Sequence, residues 1–474
     1  MKKIFTLLLL PLMAAQALAQ ANQTPKPSAI VFAHATLIDM TGAAASRDQT
    51  VVIVGDRITE IGKSDKIKLP KDALVIDATG RFLIPGLWDM HVHEWDKNIF
   101  FPLFIANGIT GVRDMFGPLP LIDQWRKEIE AGTTLGPRIV AAGPILDGPK
   151  PVWAGSIAIS NADEGRKAVM TVKQGGSDFV KVYSLLPRDA YFAIADEAKR
   201  LDMVFAGHVP ESVSAMEASD AGQKSIEHLT GVLLACSSKE EEIKKEVEAR
   251  RLAGRTAMLS VFAQVQALDS FDDKKAARLF ARFVKNGTWM SPTITVLRSI
   301  AFIGDDDFRN DARLGYIPDF IRNGMWGHTA FGLNVRKPED NARAKQVFQK
   351  QLEIICAMKR AGVEFIAGTD TPNPYVFPGF SLHDELALMV KAGFTPLEAL
   401  QAATRNAAKY LGRLDSSGTI EKGKLADLVL LDQNPLADIG NTKKIRAVMA
   451  GGHLVERAAL DEMLAKTEAA NRKK

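Results

Sequence analysis

Two histidines separated by a single residue end the segment PGLWDMHVH, residues 85–93. They are the most specific chemical feature of the sequence. Successive side chains of a β-strand point to opposite faces, so His91 and His93 would project from the same face. Both imidazoles could then bind one metal ion, since imidazole nitrogen is a common zinc ligand. Taken alone, the motif fits a surface or core pair of histidines equally well.

A lysine in the apolar run DFVKVYS, residues 178–184, is the second candidate. On a strand, Lys181 and Tyr183 share one face, which would point into a barrel. Burial of an unpaired ammonium costs several kcal/mol, so such a lysine must find a partner, lose its charge or be chemically changed. Its carbamate, formed with carbon dioxide, would be an anion able to bridge two cations. An exposed lysine at a strand end is the alternative.

Three more residues end short apolar runs. His208 ends VFAGH and His228 ends SIEH, 20 residues later, an interval that accommodates a loop, a helix and a second loop. Asp370 follows VEFIA, residues 363–367, where a carboxylate could bind a cation and accept a proton. Taken singly, each histidine could be structural, and most Gly-X-Asp sequences are explained by turns.

Short β-like runs alternate with helical stretches over residues 87–412, which is typical of βα units around a parallel sheet. The size predicts an α/β fold with a (β/α)8 TIM barrel, in which chemistry lies at the C-terminal ends of the strands. Residues 237–345 depart from the alternation and open with Glu-to-Lys pairs at helical spacing. We predict a helical insertion there, which could form a lid over the site.

Both ends of the chain contain short β-like runs with tight-turn signals, Gly55-Asp56 near the start and Gly451-Gly452 near the end. They predict a small β-sandwich built from residues 20–86 and 413–474. Residues 1–19 combine two lysines, an apolar run and a terminal Ala-Leu-Ala, which is typical of a cleavable signal peptide. We therefore expect a periplasmic or secreted protein. No segment is long and apolar enough to predict a membrane span.

The composition of the 474-residue chain, 46% hydrophobic and 24% charged, is that of a soluble globular protein and argues against disorder or a fibre. A net charge of +4, without a basic stripe, argues against nucleic acid as a partner. Cys236 and Cys356 are too few for a disulfide scaffold. Two buried free thiols are expected, with a single bridge left open.

The candidate residues, taken in chain order, resemble the amidohydrolase superfamily, specifically its binuclear members related to imidazolonepropionases and Xaa-Pro dipeptidases. The resemblance extends to FTPLEAL (394–400), ATRNAA (403–408) and GTIEKGKLADL (418–428), and so covers nearly the whole mature chain. It implies two divalent cations, for which zinc suits the ligand types best. The implied ligands are His91, His93, Lys181, His208, His228 and Asp370.

The resemblance also implies how these residues divide their roles. His91, His93 and Asp370 would hold the more buried metal, His208 and His228 the other, and a carbamylated Lys181 would bridge them. Asp370 would accept a proton and pass it to the leaving nitrogen after attack by a metal-bridging hydroxide. Tyr183 would bind the substrate. The four remaining histidines fit no ligand position and are interpreted as structural or surface residues: His34, His328, His383 and His453.

The expected reaction is hydrolysis of an amide, peptide-like C–N bond in a small-molecule substrate, either a dipeptide or an N-acyl amino acid. A hydrolase of cyclic amides, lactones or phosphoesters is the alternative among enzymes. A catalytically inactive periplasmic binding protein is the alternative outside enzymes. Substrate specificity is expected to depend on the barrel loops and the predicted insertion, whose conformations the sequence does not give, so the substrate is not identified. The sequence also does not decide between a monomer and a homo-oligomer.

Overall fold

The computed structural model describes residues 27–253, 259–327 and 329–472, so the predicted signal peptide at residues 1–19 lies outside the described residues. Strands occur at both ends of the chain and, in parallel arrangement, through its middle. They are β1 (Ile30–Leu37), β2 (Ser46–Val54), β3 (Arg57–Lys63), β4 (Leu74–Asp77), β5 (Phe82–Pro85), β6 (Leu87–Val92), β7 (Ile109–Asp114), β8 (Arg138–Ala141), β9 (Leu146–Asp147), β10 (Ile157–Ala158), β11 (Val180–Val182), β12 (Phe205–Gly207), β13 (Ser225–Glu227), β14 (Trp289–Ser291), β15 (Leu428–Leu431), β16 (Ile445–Ala450) and β17 (His453–Glu456).

Helices lie between the parallel strands and after the last strand. They are α1 (Lys97–Ala106), α2 (Leu119–Glu130), α3 (Ala162–Gln174), α4 (Arg188–Arg200), α5 (Ala215–Asp220), α6 (Val232–Ala235), α7 (Glu240–Leu252), α8 (Leu259–Asp269), α9 (Asp273–Asn286), α10 (Ile294–Phe302), α11 (Asp306–Arg309), α12 (Pro338–Ala361), α13 (Phe380–Lys391), α14 (Pro396–Ala402), α15 (Arg405–Tyr410) and α16 (Arg457–Arg472). Short 3-10 or π turns are found at Ala312–Tyr316, Ile321–Met325, Ala330–Val335 and Ile439–Lys443.

One sheet combines strands from both ends of the chain, as predicted. Its order is β17-β16-β15-β5-β1-β2-β3, with β4 pairing β1. The predicted tight turns join β2 to β3 and β16 to β17, where Gly55 (φ 63°) and Gly452 (φ 80°) adopt the left-handed conformation that glycine accommodates without strain. A buried apolar cluster is shared by Phe32 of β1 and Met449 of β16, so both termini contribute to one core.

The middle of the chain forms the predicted parallel barrel. Pairing runs from β6 to β7 and β8, and from β11 through β12 and β13 to β14. Backbone hydrogen bonds join these two groups, from Asp178 N to Ala141 O (2.9 Å) on one side and through residues 363–371 on the other. There Met290 N donates to Glu364 O (3.0 Å) and Asp370 N donates to His91 O (2.8 Å). Eight parallel segments of the described chain thus form one ring.

The segment 237–345, predicted to be a helical insertion, differs from that expectation in one respect. It contains β14, a barrel strand that pairs with β13 through Ser225 and Trp289. Helices α7 to α9 precede this strand and α10 follows it, so two helical excursions flank a barrel element. A strand of three residues shows too little alternation of apolar and polar side chains to be recognised between segments with strong helical periodicity.

The C-terminal segment also differs from the predicted β-sandwich boundary. Residues 457–472 form α16, which packs against α1 of the barrel, and Asn471 Nδ2 donates to Tyr316 O (2.7 Å). Cys236 and Cys356 are free thiols, the first buried and the second half-buried. Among the helices of the described chain, none combines the length and apolar character needed to cross a bilayer.

Candidate metal centre at the barrel mouth

The six predicted ligand residues line one cavity at the C-terminal ends of the barrel strands. His91 lies in β6 and His93 follows this strand directly, Lys181 lies in β11, and His208 follows β12 directly. His228 follows β13, and Asp370 belongs to the segment that hydrogen-bonds both β14 and β6. The parallel barrel therefore brings together side chains that are up to 279 positions apart in the sequence.

Asp370 lies at the centre of the cluster. Its Oδ1 is 3.3 Å from His91 Nε2 and 3.0 Å from His93 Nε2, and its Oδ2 is 3.6 Å from His228 Nε2. The rings of His208 and His228 have centroids 5.0 Å apart. One ligand atom each from His91, His228 and Asp370 lie within 4.8 Å of one another, a spacing that can accommodate a metal ion.

Hydrogen bonding fixes which nitrogen of His91 faces the cluster. His91 Nδ1 lies 2.8 Å from Glu227 Oε2, so the carboxylate accepts the ring proton there. Burial and the nearby Lys181 ammonium hold the pKa of His91 well below its usual range, so the ring is neutral. Its Nε2 lone pair then faces the Asp370 carboxylate, and among the described residues this buried atom has no hydrogen-bond partner. A cation between the two acceptors would satisfy both.

His228 is oriented in the same way as His91, with Nδ1 hydrogen-bonded to the protein and Nε2 facing Asp370. Its Nδ1 lies 2.6 Å from Thr293 Oγ1, whose hydroxyl donates to Pro292 O (2.8 Å), so that oxygen must accept the ring proton of His228. Burial lowers the pKa of His228 to about 4, which leaves Nε2 as a lone pair directed at Asp370. His228 (φ 57°) and Asp370 (φ 65°) both adopt left-handed backbone conformations, a strain often found at functional sites.

His208 and Tyr183 form the opposite wall of the cluster. His208 Nδ1 lies 2.8 Å from Ser184 Oγ, and its buried Nε2 has no hydrogen-bond partner in the described part of the chain. The Tyr183 ring stacks on the imidazole of His208 with centroids 3.9 Å apart, and its hydroxyl accepts a hydrogen bond from Trp153 Nε1 (2.9 Å). Burial raises the pKa of Tyr183, so the hydroxyl keeps its proton and can donate it to a ligand.

Lys181 is buried at the floor of the cavity. Its side chain is 1% exposed, and Nζ finds no hydrogen-bond partner among the residues that the structure describes. Burial, partly opposed by the negative charges of Glu227 and Asp370, lowers the pKa of Lys181 to about 8. An amine in this condition fits chemical modification or loss of its proton better than a permanent ammonium.

A buried ionic network beneath the cluster was not predicted from the sequence. Arg113 Nη2 donates to both carboxylate oxygens of Glu227 at 2.9 Å, and Ser225 Oγ donates to Glu227 Oε1 at 2.6 Å. Arg113 Nη1 also donates to Tyr410 Oη at 2.9 Å. The sequence did contain a signal: Ser225 and Glu227 alternate on one face of SIEH, and Arg113 follows the short run ITGV in β7, where a charged residue is unusual if the strand is buried.

Asp89, which was also not predicted from the sequence, connects the two segments that carry the predicted ligands His91 and Asp370. Its carboxylate accepts hydrogen bonds from Thr369 N (2.9 Å), Thr369 Oγ1 (2.7 Å) and His91 N (3.2 Å). Burial raises the pKa of Asp89 to about 7, although these hydrogen bonds oppose the shift. The aspartate thereby fixes β6 against the segment that ends in Asp370.

The remaining histidines lie away from the cluster where the structure describes them. His383 is buried between Thr442 Oγ1 (2.9 Å) and Asn107 O (3.1 Å), which is a structural role. His34 is half-exposed beside Asp48 Oδ1 (2.8 Å), and His453 is exposed on β17. His328 lies outside the described residues.

Comparisons with known proteins agree with this architecture. The Amidohydrolase family model matches residues 82–455. An ochratoxinase from Aspergillus niger is 24% identical over 439 residues, covering 78% of this chain and 75% of that protein. An imidazolonepropionase from Agrobacterium fabrum is 40% identical over 89 residues, which is 18% of this chain and 20% of that protein.

Solved structures show the same fold. A bottromycin amidohydrolase superposes with a TM-score of 0.75 at 22% identity, covering 94% of this chain and 91% of that one. A Xaa-Pro dipeptidase superposes with a TM-score of 0.63 at 22% identity, covering 90% of this chain and all of that one. The chain belongs to the amidohydrolase family, and the predicted resemblance is confirmed at that level.

Proposed function

We propose that the protein is a metal-dependent hydrolase that cleaves an amide, peptide-like C–N bond of a small-molecule substrate, a dipeptide or an N-acyl amino acid. One observation carries the proposal: Nε2 of His91, His93 and His228 lies within 3.6 Å of the buried Asp370 carboxylate, and Nε2 of His91 has no hydrogen-bond partner among the described residues. Two divalent cations, of which zinc suits imidazole and carboxylate best, would satisfy these groups. They would be held by His91, His93, Lys181, His208, His228 and Asp370.

The protein's own groups can serve each stage of such a hydrolysis. Bound cations supply hydroxide at neutral pH and neutralise charge that develops on the substrate oxygen. The Tyr183 hydroxyl can donate a hydrogen bond to the substrate carbonyl, since Trp153 already occupies one of its acceptor positions. The Asp370 carboxylate lies 3.0–3.6 Å from Nε2 of His91, His93 and His228, where it could accept a proton and deliver it to the leaving nitrogen.

Lys181 is proposed to carry the carbamate. The neutral amine attacks carbon dioxide, an N–C bond forms, and one N–H proton leaves to solvent, so a buried base becomes an anion. A pKa of about 8 makes a useful fraction of the neutral amine available near neutral pH. The anion would then offset the positive charge of the cations.

Export is a separate proposal that rests on the sequence of residues 1–19. The periplasm or the exterior would be the compartment, as the lysine pair, apolar run and small-residue end of this segment indicate. Cell fractionation of the full chain and of a form lacking residues 1–19 tests it. Equal distribution of the two forms would rule export out.

The proposed reaction is tested by metal analysis joined to a panel of dipeptides, N-acyl amino acids, cyclic amides, lactones and aryl phosphates. Wild-type protein should bind close to two metals per chain and hydrolyse amides. Asp370→Asn should keep its fold and lose turnover by several orders of magnitude, whereas Asp415→Asn, at an exposed turn position, should not. Two bound metals with no turnover on the whole panel would favour an inactive binding protein. Turnover of only lactones or phosphates would redirect the proposal to those classes.

A further inference from the structure

The cavity above the metal centre is far larger than a dipeptide requires. Its volume is about 1440 Å³, and pockets for ligands of drug size usually measure about 300–1000 Å³. The cluster around Asp370 forms part of the lining of this cavity. Loops of the barrel and the lid, which we define as residues 240–252, 259–269, 294–327 and 329–331, contribute most of the rest.

Apolar side chains contribute most of the exposed surface of the cavity. Leu234 of α6 and residues of the lid contribute to it, and most of them are largely hidden from solvent although they border open space. The apolar lid residues of this lining include Val247, Leu297, Ile300, Met325 and Phe331. Two solvent-exposed apolar residues also line the cavity: Trp153 is 44% exposed and Met325 is 41% exposed. A substrate with a large apolar group would remove this surface from water.

The charged groups of the lid offer little alternative recognition. Lys244 is paired with Glu240 at 3.0 Å, and Arg251 is paired with Glu211 from the loop after β12. Both side chains line the cavity with their charges matched by the protein, and the exposed Lys245 lines it as well. Most of the exposed surface of the cavity is nevertheless apolar, so away from Tyr183 and the predicted metal ligands apolar contact should dominate selection.

We propose that the substrates are amides in which one side of the scissile bond carries a large apolar group that occupies the space between Leu234 and the lid. This rests on the amide hydrolysis proposed above and names its substrate class. The carbonyl of the amide lies at the floor of the cavity beside Tyr183, and the amino acid on the polar side of the scissile bond is short. Small dipeptides leave the apolar wall uncovered and are poor substrates.

A homologous series of N-acyl amino acids, from acetyl to dodecanoyl on one amino acid, tests the proposal with the metal-loaded enzyme. Each methylene that enters the cavity should raise kcat/KM by up to about fourfold, the ratio equivalent to about 0.8 kcal/mol. Val247→Gln, on the lid wall, should reduce the dependence on chain length. Val284→Gln is the matched control, because Val284 is 44% exposed on α9 and does not line the cavity.

Binding to metal-free protein separates this inference from the proposed reaction. Dodecanoate should bind in calorimetry with a negative heat-capacity change, and acetate should not. Hydrolysis that is flat with chain length, or fastest for small dipeptides, would overturn the inference and leave the amide hydrolase intact. Absence of amide turnover, together with chain-length-dependent binding, would overturn the reaction but support the apolar site. Absence of dodecanoate binding would overturn the site.

Discussion

In each of three histidines of the cluster, Nδ1 forms a hydrogen bond with a protein side chain, so that Nε2 is available to bind a ligand. A hydrogen-bonded partner on Nδ1 fixes the tautomer and the orientation of the ring, which raises metal affinity because less freedom is lost on binding. The three partners differ in chemistry, one carboxylate and two hydroxyls. They are Glu227 for His91, Ser184 for His208 and Thr293 for His228.

Lys181 should reduce the stability of the metal-free protein near neutral pH. Its folded pKa of about 8 lies below its ordinary value of 10.5, so the unfolded chain binds more protons between these values and stability rises with pH in that window. Below pH 8, Lys181→Met should increase the free energy of unfolding by an amount on the order of 3 kcal/mol, and the gain should shrink toward pH 10. Urea denaturation in chelator and carbon-dioxide-free buffer measures it.

The same substitution should abolish metal-dependent turnover, because the proposed carbamate could no longer form. Lys422→Met, at an exposed position between β-segments of the C-terminal part, is the control and should change neither quantity. A Lys181→Met protein that is less stable than wild type at pH 7 would show that the buried amine already has a favourable partner.

The network below the centre joins four elements through one carboxylate. Glu227 on β13 contacts His91 at the end of β6, Arg113 on β7 and, through Ser225, Tyr410 at the end of α15. Burial alone would raise the pKa of Glu227, but Arg113 and Lys181 outweigh it and keep the carboxylate ionised. The orientation of His91 therefore depends on the packing of neighbouring strands.

Glu227→Gln should weaken both folding and metal binding. The substitution leaves Arg113 buried with an uncompensated charge, and breaking a buried pair in this way costs about 3–5 kcal/mol. Loss of the carboxylate on His91 should lower metal affinity by about 10–100-fold. Urea denaturation and competition with a chelator measure the two effects. The exposed Glu60→Gln serves as a control, and wild-type metal affinity in Glu227→Gln would remove the carboxylate from any positioning role.

Sequence patterns predicted the ligand-bearing strands better than the ones that only complete the barrel. Lys181 lies in β11 and His228 directly follows β13, and the chemistry of both residues is recognisable in the sequence. In contrast, β14 has only Trp289–Ser291 and lies between long helical patterns. The contacts of Glu227 with Arg113 and His91 could not be predicted, because they depend on which strands become neighbours in the barrel. Local alternation gives the face of a residue and leaves its partner across the barrel undetermined.

The two ends of the chain meet next to the strand that carries His91 and His93. Only Gly86 separates β5 from β6, and β5 is held between β1 and β15, where Val429 pairs with Ile84 and Leu430 with Leu83. Gly86 N also donates to Asp427 O at 2.7 Å. The C-terminal strands thus fix the point at which the first ligand strand enters the barrel.

Two truncations should separate the roles of the C-terminal sheet and of α16. A chain that ends at residue 456 loses α16, with its buried Leu460, and should stay folded with a lower Tm while still binding metal. A chain that ends at residue 412 also loses β15, so the buried Leu83 and Ile84 of β5 become an exposed apolar edge, which favours aggregation. Gel filtration, thermal melting and metal analysis of both forms measure the difference. A soluble 412-residue form with wild-type metal content would show that β6 keeps its position without β15. The C-terminal strands would then have no role in positioning the predicted ligands on β6.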